Sequence, residues 1–386
     1  MSKVSKIKLG DIGKISMCKR VLKSQTSNNG DIPFYKISTF GGKADCFITR
    51  KLYEEYKTKY SFPQNGEILI SAAGTLGRIV RYNGQDAFFQ DSNIVWVEND
   101  ESKVLNDFLY YYYQLKPWRK TTGSTIERLY NDNLRNIDVV FPTDKNEQKR
   151  IINVLKNIDN RIDNNNSINI ELERIAKTLY DYWFLQYEFP NEEGKPYKSS
   201  GGKMVWNEEL KREIPEEWKN GKMSDFIEIG NGKDHKSLND GNIPVYGSGG
   251  IMRKVDKELY SGESVLIPRK GTLNNIMYVD EKFWTVDTMF YSKMKKENIA
   301  LYIYYSIMLY DFEKLNTGTG VPSMTSSIIN NLNLIIPKDD LLEKFNKIVN
   351  PLYNKINKNK EENEELTKLR DELLPLLMNG QVSFKN

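Results

Sequence analysis

The chain has 386 residues, 28% of them charged and 39% hydrophobic, and a formal net charge of +4 at pH 7. This length allows two or three domains, each with its own hydrophobic core. No apolar run reaches the roughly 18 residues of a membrane span, and the N-terminus lacks the apolar core of a signal peptide, so we expect a cytoplasmic protein.

Residues suited to catalysis or metal binding are scarce. Cys18 and Cys46 are too few for a disulfide framework or a cysteine zinc site. His235 is the only histidine, so a multi-histidine metal site is impossible, and its polar loop favours a surface position. The chain also lacks the glycine-rich phosphate loop of nucleotide-binding enzymes. We therefore expect a non-catalytic chain with no metal site and no cofactor of its own.

Residues 1–145 are predicted to form a first domain of mixed α and β structure, because short β-branched and aromatic runs alternate with Gly, Asn and Pro turns. Residues 66–71 and 79–82 predict two strands, and the turn between them carries Thr75 and Arg78. Residues 105–115 predict a helix. Its tyrosines 110–113 could stack on bases, but at helical spacing we expect them to pack in the core.

Residues 146–187 are predicted to form one long helix. From Ile151 to Trp183 the seam residues recur in steps of four and three, which is the spacing of a coiled coil. At about 1.5 Å per residue, such a helix would be a rod on the order of 55 Å long. Two ordinary amphipathic helices, or a break at asparagines 164–166, are the alternatives.

The second half of the chain repeats the first. Residues 188–215 form a linker or an ordered loop, rich in Pro, Gly and Ser. A second domain is then predicted over 216–337, a second long helix over 338–378, and a tail over 379–386. Residues 242–246 echo 31–35, residues 262–267 echo 66–70, and residues 318–321 echo 123–126.

The two long helices have matching seams. A shift of 194 residues converts the first seam into the second, and each copy has two asparagines at the same interior positions. An asparagine in an apolar seam costs stability unless it meets a polar partner, so we expect the helices to pair with each other. The residues predicted to pair are Leu155, Ile158, Ile162, Asn165, Asn169, Leu352, Ile356, Asn359 and Asn363.

The two domains differ where the repeat exposes its turns. The first turn has alanines at 72 and 73, where the second has Arg269 and Lys270, and Asn275 stands where the first has Arg78. One scaffold that presents two recognition surfaces would show this pattern, and so would drift of exposed loops. Residues 1–145 contain 22 Lys and Arg against 16 Asp and Glu, whereas 216–337 contain 14 against 15. The second domain would therefore need a local basic patch to bind DNA.

Taken together, the chain resembles the specificity subunits of Type I restriction-modification systems. The resemblance covers essentially the whole chain and rests on residues 147–151, 189–218 and 373–380. It implies an α+β fold with two target-recognition domains that alternate with two long helices paired as an antiparallel coiled coil. It also implies double-stranded DNA as the ligand, with one domain per half-site and the helices setting the gap between the halves.

The resemblance further implies two modification (methyltransferase) subunits as partners and, through them, restriction (motor-nuclease) subunits. S-adenosylmethionine, ATP and Mg²⁺ would then belong to these partners. The candidate DNA-binding residues are cations and hydroxyls, with Arg78 and Arg269 as candidates for contact with guanine edges. Arg119, Lys120, Arg253 and Lys254 are candidates for contact with phosphates. The full set is Thr75, Arg78, Arg119, Lys120, Ser124, Arg253, Lys254, Arg269, Lys270, Thr272 and Thr319.

Three other functions compete with this interpretation. A coiled-coil interaction protein without a DNA role would explain the nearly neutral second domain. A recognition subunit that serves a fused nuclease-methyltransferase would have the same sequence features. A stand-alone nuclease comes last, because nothing orders the scattered carboxylates into a metal site.

Overall fold

The computed structural model of the chain describes residues 3–74, 76–118, 128–316 and 323–382. Its contacts divide the chain into two compact units. The first unit comprises Met1–Asn166 and Lys360–Asn386, and the second comprises Ser167–Asn359. Each unit therefore combines one globular part with a portion of each long helix.

The globular part of the first unit contains nine strands and three helices within the described residues. The strands are β1 Val4–Lys8, β2 Lys14–Ser16, β3 Ile32–Tyr35, β4 Phe47–Ile48, β5 Ile68–Ser71, β6 Ile79–Arg81, β7 Phe88–Phe89, β8 Ile94–Glu98 and β9 Asp138–Pro142. The helices are α1 Arg50–Lys59, α2 Asn106–Gln114 and α3 Asn131–Arg135. The strands form sheets in the orders β2-β8-β5-β6, β4-β3-β7 and β1-β9. Strand β5 is paired on both edges, and all four of its residues are buried.

The second unit has longer strands. They are β10 Met204–Asn207, β11 Arg212–Pro215, β12 Lys219–Lys222, β13 Ile227–Asn231, β14 Asp240–Gly247, β15 Gly250–Val255, β16 Tyr260–Pro268, β17 Met277–Thr285, β18 Met289–Met294 and β19 Asn333–Ile336. The short helices are α5 Ala300–Ile307 and α6 Ser326–Asn330. Six of these strands form one sheet in the order β13-β18-β16-β17-β14-β15.

The strand pairing confirms the internal repeat. The antiparallel pair β1 and β9 has its counterpart in β12 and β19, and the antiparallel pair β5 and β8 has its counterpart in β16 and β18. The parallel pair β3 and β7 corresponds to β14 and β17. Among the described residues, α1 occurs only in the first copy. The predicted α+β fold with two related domains is therefore confirmed.

The long helices are α4 Lys145–Tyr180 and α7 Asp339–Met378, and the break considered at asparagines 164–166 is absent. In the first unit, Ile151 and Leu155 of α4 share a core with Leu374 and Leu377 of α7. The second unit packs the end of α4 against the start of α7, with Tyr180 close to Phe345. The two helices therefore run antiparallel. A short π-helical turn, Asp181–Leu185, follows α4.

Residues 188–215 are an ordered part of the second unit. Strands β10 and β11 form an antiparallel hairpin. The Phe189 ring stacks on Tyr197 with centroids 4.5 Å apart, and on Trp218 with centroids 5.2 Å apart. The stretch is therefore ordered, and it includes a hairpin that the sequence did not predict.

The tyrosine run lies in the core, as expected. Tyr111, Tyr112 and Tyr113 of α2 are buried in the first unit. Tyr110 is half-buried, and the Arg81 guanidinium lies 4.6 Å from its ring centroid. These rings are therefore occupied by packing, which leaves little face for stacking on bases.

Candidate nucleic-acid interface

The turn between β5 and β6 carries Arg78, one of the predicted base contacts. The backbone N–H of Arg78 donates to the Ser71 hydroxyl (2.8 Å), and its guanidinium Nη1 donates to the Phe40 carbonyl (2.6 Å). A side chain at Gly77 would place its Cβ 2.4 Å from the Trp118 ring, so the turn needs glycine there. The turn is thus packed tightly against its surroundings.

The equivalent turn of the second unit lies between β16 and β17. The backbone N–H groups of Arg269 and Lys270 both donate to the Thr288 carbonyl, at 2.8 and 3.2 Å. On the other side, Met324 N–H donates to the Arg269 carbonyl (2.9 Å). The first unit has the same pair of contacts, because Ala72 N–H donates to the Asn93 carbonyl (2.7 Å) and its own carbonyl accepts from Leu129.

Arg78 and Asn275 occupy equivalent positions and make equivalent contacts. The Asn275 amide Nδ2 donates to the Ser248 carbonyl (2.8 Å), in the loop that follows β14. Phe40, the acceptor for Arg78, lies in the loop that follows the corresponding strand β3. Both side chains therefore tie the turn to a neighbouring loop, and a base contact by Arg78 stays a prediction.

The other predicted DNA-binding residues that the structure describes all lie in the second unit. Arg269, Lys270 and Thr272 are exposed in one turn, where the Arg269 guanidinium lies 5.8 Å from the Phe290 ring centroid. Arg253 on β15 forms an ion pair with Asp240 (2.9 Å), while its neighbour Lys254 is exposed. Thr75, Arg119, Lys120, Ser124 and Thr319 lie outside the described residues.

The structure also shows a polar cleft in the first unit that the sequence did not indicate. Segment 17–31, the turn at 90–93 and the residues Phe34, Lys36 and Cys46 line an open cleft of about 490 Å³. The charged and amide side chains of its lining are Arg20, Lys23, Asn28, Lys36, Gln90, Asp91 and Asn93. The polar composition of segment 17–31 was the signal that the sequence offered. The contact of this segment with residues about 60 to 75 positions later could not be predicted from it. Beside the cleft, burial raises the pKa of the Cys18 thiol to about 12, so this cysteine is not a nucleophile at neutral pH.

The four seam asparagines form hydrogen bonds with one another. In the first unit, Asn165 Nδ2 donates to Asn363 Oδ1 (2.9 Å) and to Glu362 Oε2 (3.1 Å). In the second unit, Asn359 Nδ2 donates to Asn169 Oδ1 (2.8 Å). Of the apolar residues predicted to pair, Leu155, Ile158 and Ile356 are buried, while Ile162 and Leu352 are half-buried.

A further polar contact in the first unit joins the globular part to both long helices. The Tyr111 hydroxyl of α2 donates to Asp159 Oδ2 of α4 (2.8 Å). Arg370 of α7 pairs with Asp159 Oδ1 at 3.2 Å. In the second unit, Tyr305 is the counterpart of Tyr111 and Tyr353 is the counterpart of Asp159. The hydroxyls of these two tyrosines are hydrogen-bonded at 2.8 Å.

No group of three or more His, Cys, Asp or Glu side chains in the described ranges could hold a metal ion. Within the same ranges, no helix combines the length and the hydropathy of a membrane span.

Comparison with known proteins gives a match over most of the chain. Residues 1–174 and 215–368 match the family described as the Type I restriction modification DNA specificity domain. A putative type I restriction enzyme specificity subunit of Haemophilus influenzae is 55% identical over 155 residues, which are 40% of this chain and 40% of that protein. The MjaIX specificity subunit of Methanocaldococcus jannaschii is 26% identical over 368 residues, 87% of this chain and 81% of the relative.

A solved structure has a similar fold. The Type I restriction-modification S subunit of M. genitalium superposes with a TM-score of 0.59 at 20% sequence identity. The superposition covers 98% of this chain and 96% of the other.

Proposed function

The chain belongs to the family of Type I restriction-modification DNA specificity proteins, and we propose that each of its globular parts reads one half of a split DNA target. The observation that carries this proposal is the repeat itself. The same hydrogen bonds hold the turn at Ala72 and the turn at Arg269, yet the exposed side chains differ. A duplicated framework with unlike exposed residues suits the reading of two different half-sites.

The paired helices would set the gap between the halves. The repeat relates the two asparagine contacts. Asn359 is the counterpart of Asn165, and Asn169 is the counterpart of Asn363, so the contact of Asn165 with Asn363 corresponds to that of Asn359 with Asn169. These hydrogen bonds favour one register of the helices, because a slip would leave buried amides without partners. A fixed register gives a fixed length between the two ends of the helix pair.

The partners proposed are two modification subunits and, through them, restriction subunits, in the cytoplasm. The repeated and pseudosymmetric helix contacts suit two copies of one partner. Adenine methylation with S-adenosylmethionine, and cleavage that uses ATP and Mg²⁺, would be the work of those partners. This chain would contribute only the recognition of the target sequence.

The proposal is tested by methylation-aware sequencing of cells that express the chain with its neighbouring modification subunit. We expect a split adenine-methylated motif with a constant gap. Absence of any motif, although a soluble complex forms, would contradict the proposal and favour an interaction protein without a DNA role. The identity of the copurifying partner distinguishes separate subunits from a fused nuclease-methyltransferase.

A further inference from the structure

The polar cleft of the first unit, between segment 17–31 and the turn at 90–93, is a candidate for base reading. We infer that this cleft contacts the base edges of one DNA half-site, with Arg20 as the main specificity residue. The inference rests on the proposed function and adds to it the place where the first unit reads bases.

Arg20 is distinguished by its lack of an internal partner. Other arginines of the same unit are engaged: Arg50 with Asp86, Arg78 with the Phe40 carbonyl, Arg81 with Asp107, Arg128 with the Ser92 carbonyl, Arg135 with Asp132, and Arg370 with Asp159. Arg20 is exposed and has no hydrogen bond or ion pair within the described part of the chain. Its planar fork of N–H donors is therefore available for the paired acceptors O6 and N7 of guanine.

Three amide side chains line the same cleft. Gln90 Oε1 accepts from the Ile37 backbone N–H (2.9 Å), which fixes this amide and leaves its N–H donors without a partner among the described residues. Asn28 and Asn93 have no side-chain hydrogen bond in the described ranges. Asn and Gln amides pair with the N6 and N7 edge of adenine. The cleft thus gathers the side-chain types that read bases directly.

Hydrogen bonds hold two of the residues that line the cleft, Ser92 and Asn93. Ser92 has a left-handed backbone, with φ of +53°, and the Arg128 guanidinium donates to its carbonyl at 3.1 Å. The neighbouring Asn93 carbonyl accepts from Ala72 N–H (2.7 Å). A strained residue held by hydrogen bonds is typical of binding sites, because a fixed geometry lowers the entropic cost of binding.

The second unit builds this region differently. Gln90 N–H donates to Tyr35, and Val286 N–H donates to Tyr246, both at 3.0 Å, so these positions correspond. The Asn93 carbonyl accepts from Ala72 as the Thr288 carbonyl accepts from Arg269, so Asn93 corresponds to Thr288 and the second unit has one residue fewer here. Ser92 is the extra residue of the first unit. The facing segment 232–239 is also shorter than 17–31 and carries Lys233 and Lys236. The two units would therefore read different bases at this place.

The size of the cleft fits this use. The open cleft has a volume of about 490 Å³, which is too small for a duplex, so the DNA would lie across its mouth. Because Arg20 and Lys23 lie in the exposed segment 17–31, they can reach a duplex without rearrangement of the core.

The test uses the full chain in complex with its modification subunits. The wild-type motif is first determined by methylation-aware sequencing of cells. Methylation rates are then measured on DNA duplexes that carry this motif, or one base change at each position in turn. The variants are Arg20→Ala, Arg20→Lys and the control Arg50→Ala, which removes an exposed arginine of the same unit outside the cleft. Thermal unfolding checks that each variant folds.

For Arg20→Ala we expect a loss of discrimination on the order of 10- to 100-fold at one or two positions of one half-site, because a bidentate base contact is lost. The other half-site and the Arg50→Ala complex should keep wild-type preferences. Arg20→Lys should also lose discrimination, since lysine lacks the fork.

Two results would overturn the inference about the cleft. One is an unchanged preference in Arg20→Ala at all positions. The other is an equal loss on all duplexes with full recovery in Arg20→Lys, which indicates a phosphate contact. A wild-type complex without any split motif would instead contradict the proposed function, so the two failures are distinguishable.

Discussion

Polar side chains in the loops and turns of this protein fall into two groups, those with an internal partner and those without one. Arg78 and Asn275 each donate to a carbonyl of the adjacent loop, at 2.6 and 2.8 Å, whereas Arg20 has no partner in the described residues. An arginine already bonded to a carbonyl must break or share that bond to reach DNA. Exposure alone therefore does not identify the residues that read bases.

Arg78→Ala is expected to destabilise the first unit. The substitution removes the hydrogen bond to the Phe40 carbonyl, and a hydrogen bond from a charged group contributes about 1–2 kcal/mol when partly buried. The measurement is the free energy of unfolding of the full chain in urea. Lys43→Ala, an exposed change in the same loop as Phe40, is the control and should have little effect. Unchanged stability together with lost discrimination at one base pair would instead assign Arg78 to DNA.

At the scale of elements, the two units use different chemistry at the same junction. In the first unit Asp159 accepts from Tyr111 and pairs with Arg370, and all three residues have counterparts 194 positions away. In the second unit Tyr353 replaces Asp159, Tyr305 replaces Tyr111 and Ala176 replaces Arg370. The hydroxyls of Tyr353 and Tyr305 are hydrogen-bonded to each other, and Ala176 is buried. If α4 paired with a second copy of itself, Asp159 would face Ala176, the counterpart of Arg370, and would have no cation beside it. The ion pair therefore favours pairing of α4 with α7.

Arg370→Met is expected to cost about 1–3 kcal/mol of unfolding free energy, because it leaves the Asp159 carboxylate without its cation. The Asp159 and Arg370 side chains are only 25% and 26% exposed, so water replaces the lost contact poorly. The double variant Asp159→Asn with Arg370→Met should recover part of the loss, and the coupling between the two sites is measured by a double-mutant cycle in urea. Arg161→Met is the matched control, since the Arg161 and Glu362 side chains are 56% and 35% exposed and their ion pair should contribute less than about 1 kcal/mol. Equal costs for the two arginines would contradict a special role of Arg370.

Much of the element scale could be predicted from the sequence, because its signals are periodic. The seam spacing indicated both long helices, and the repeat indicated two related domains. The contacts of Arg78 with residue 40, and of segment 17–31 with the turn at 90–93, could not be predicted, since they join residues far apart in the chain. Nothing in a polar run distinguishes an arginine that braces a loop from one that faces solvent.

At the scale of the whole molecule, the chain is one unit of sequence used twice, with differences concentrated in segments that do not hold the framework. Strand pairing, the hydrogen bonds of the turns and the asparagine contacts recur in both copies. The facing segments 17–31 and 232–239 differ in length and charge. Recognition could therefore change in one half without disturbing the other half or the helices.

A matched insertion into both helices tests whether they set the gap in the DNA target. Seven residues are inserted between Asn166 and Ser167 of α4, and seven between Asn359 and Lys360 of α7. Both points lie between the contact of Asn165 with Asn363 and that of Asn169 with Asn359, so both contacts can persist. One heptad keeps the seam in phase and adds about 10 Å of helix. That length corresponds to about three base pairs of DNA at roughly 3.4 Å each.

We expect the matched insertion to abolish methylation at the native gap, because the two half-sites no longer lie at the distance set by the helices. Any new motif should keep both halves and have a longer gap. Insertion into α4 alone is the contrasting variant. It displaces the asparagines from their partners, so it should lower thermal stability and give no motif at all. Methylation-aware sequencing of cells that express each variant gives the answer. Methylation that persists at the native gap after the matched insertion would show that the helices do not determine the spacing.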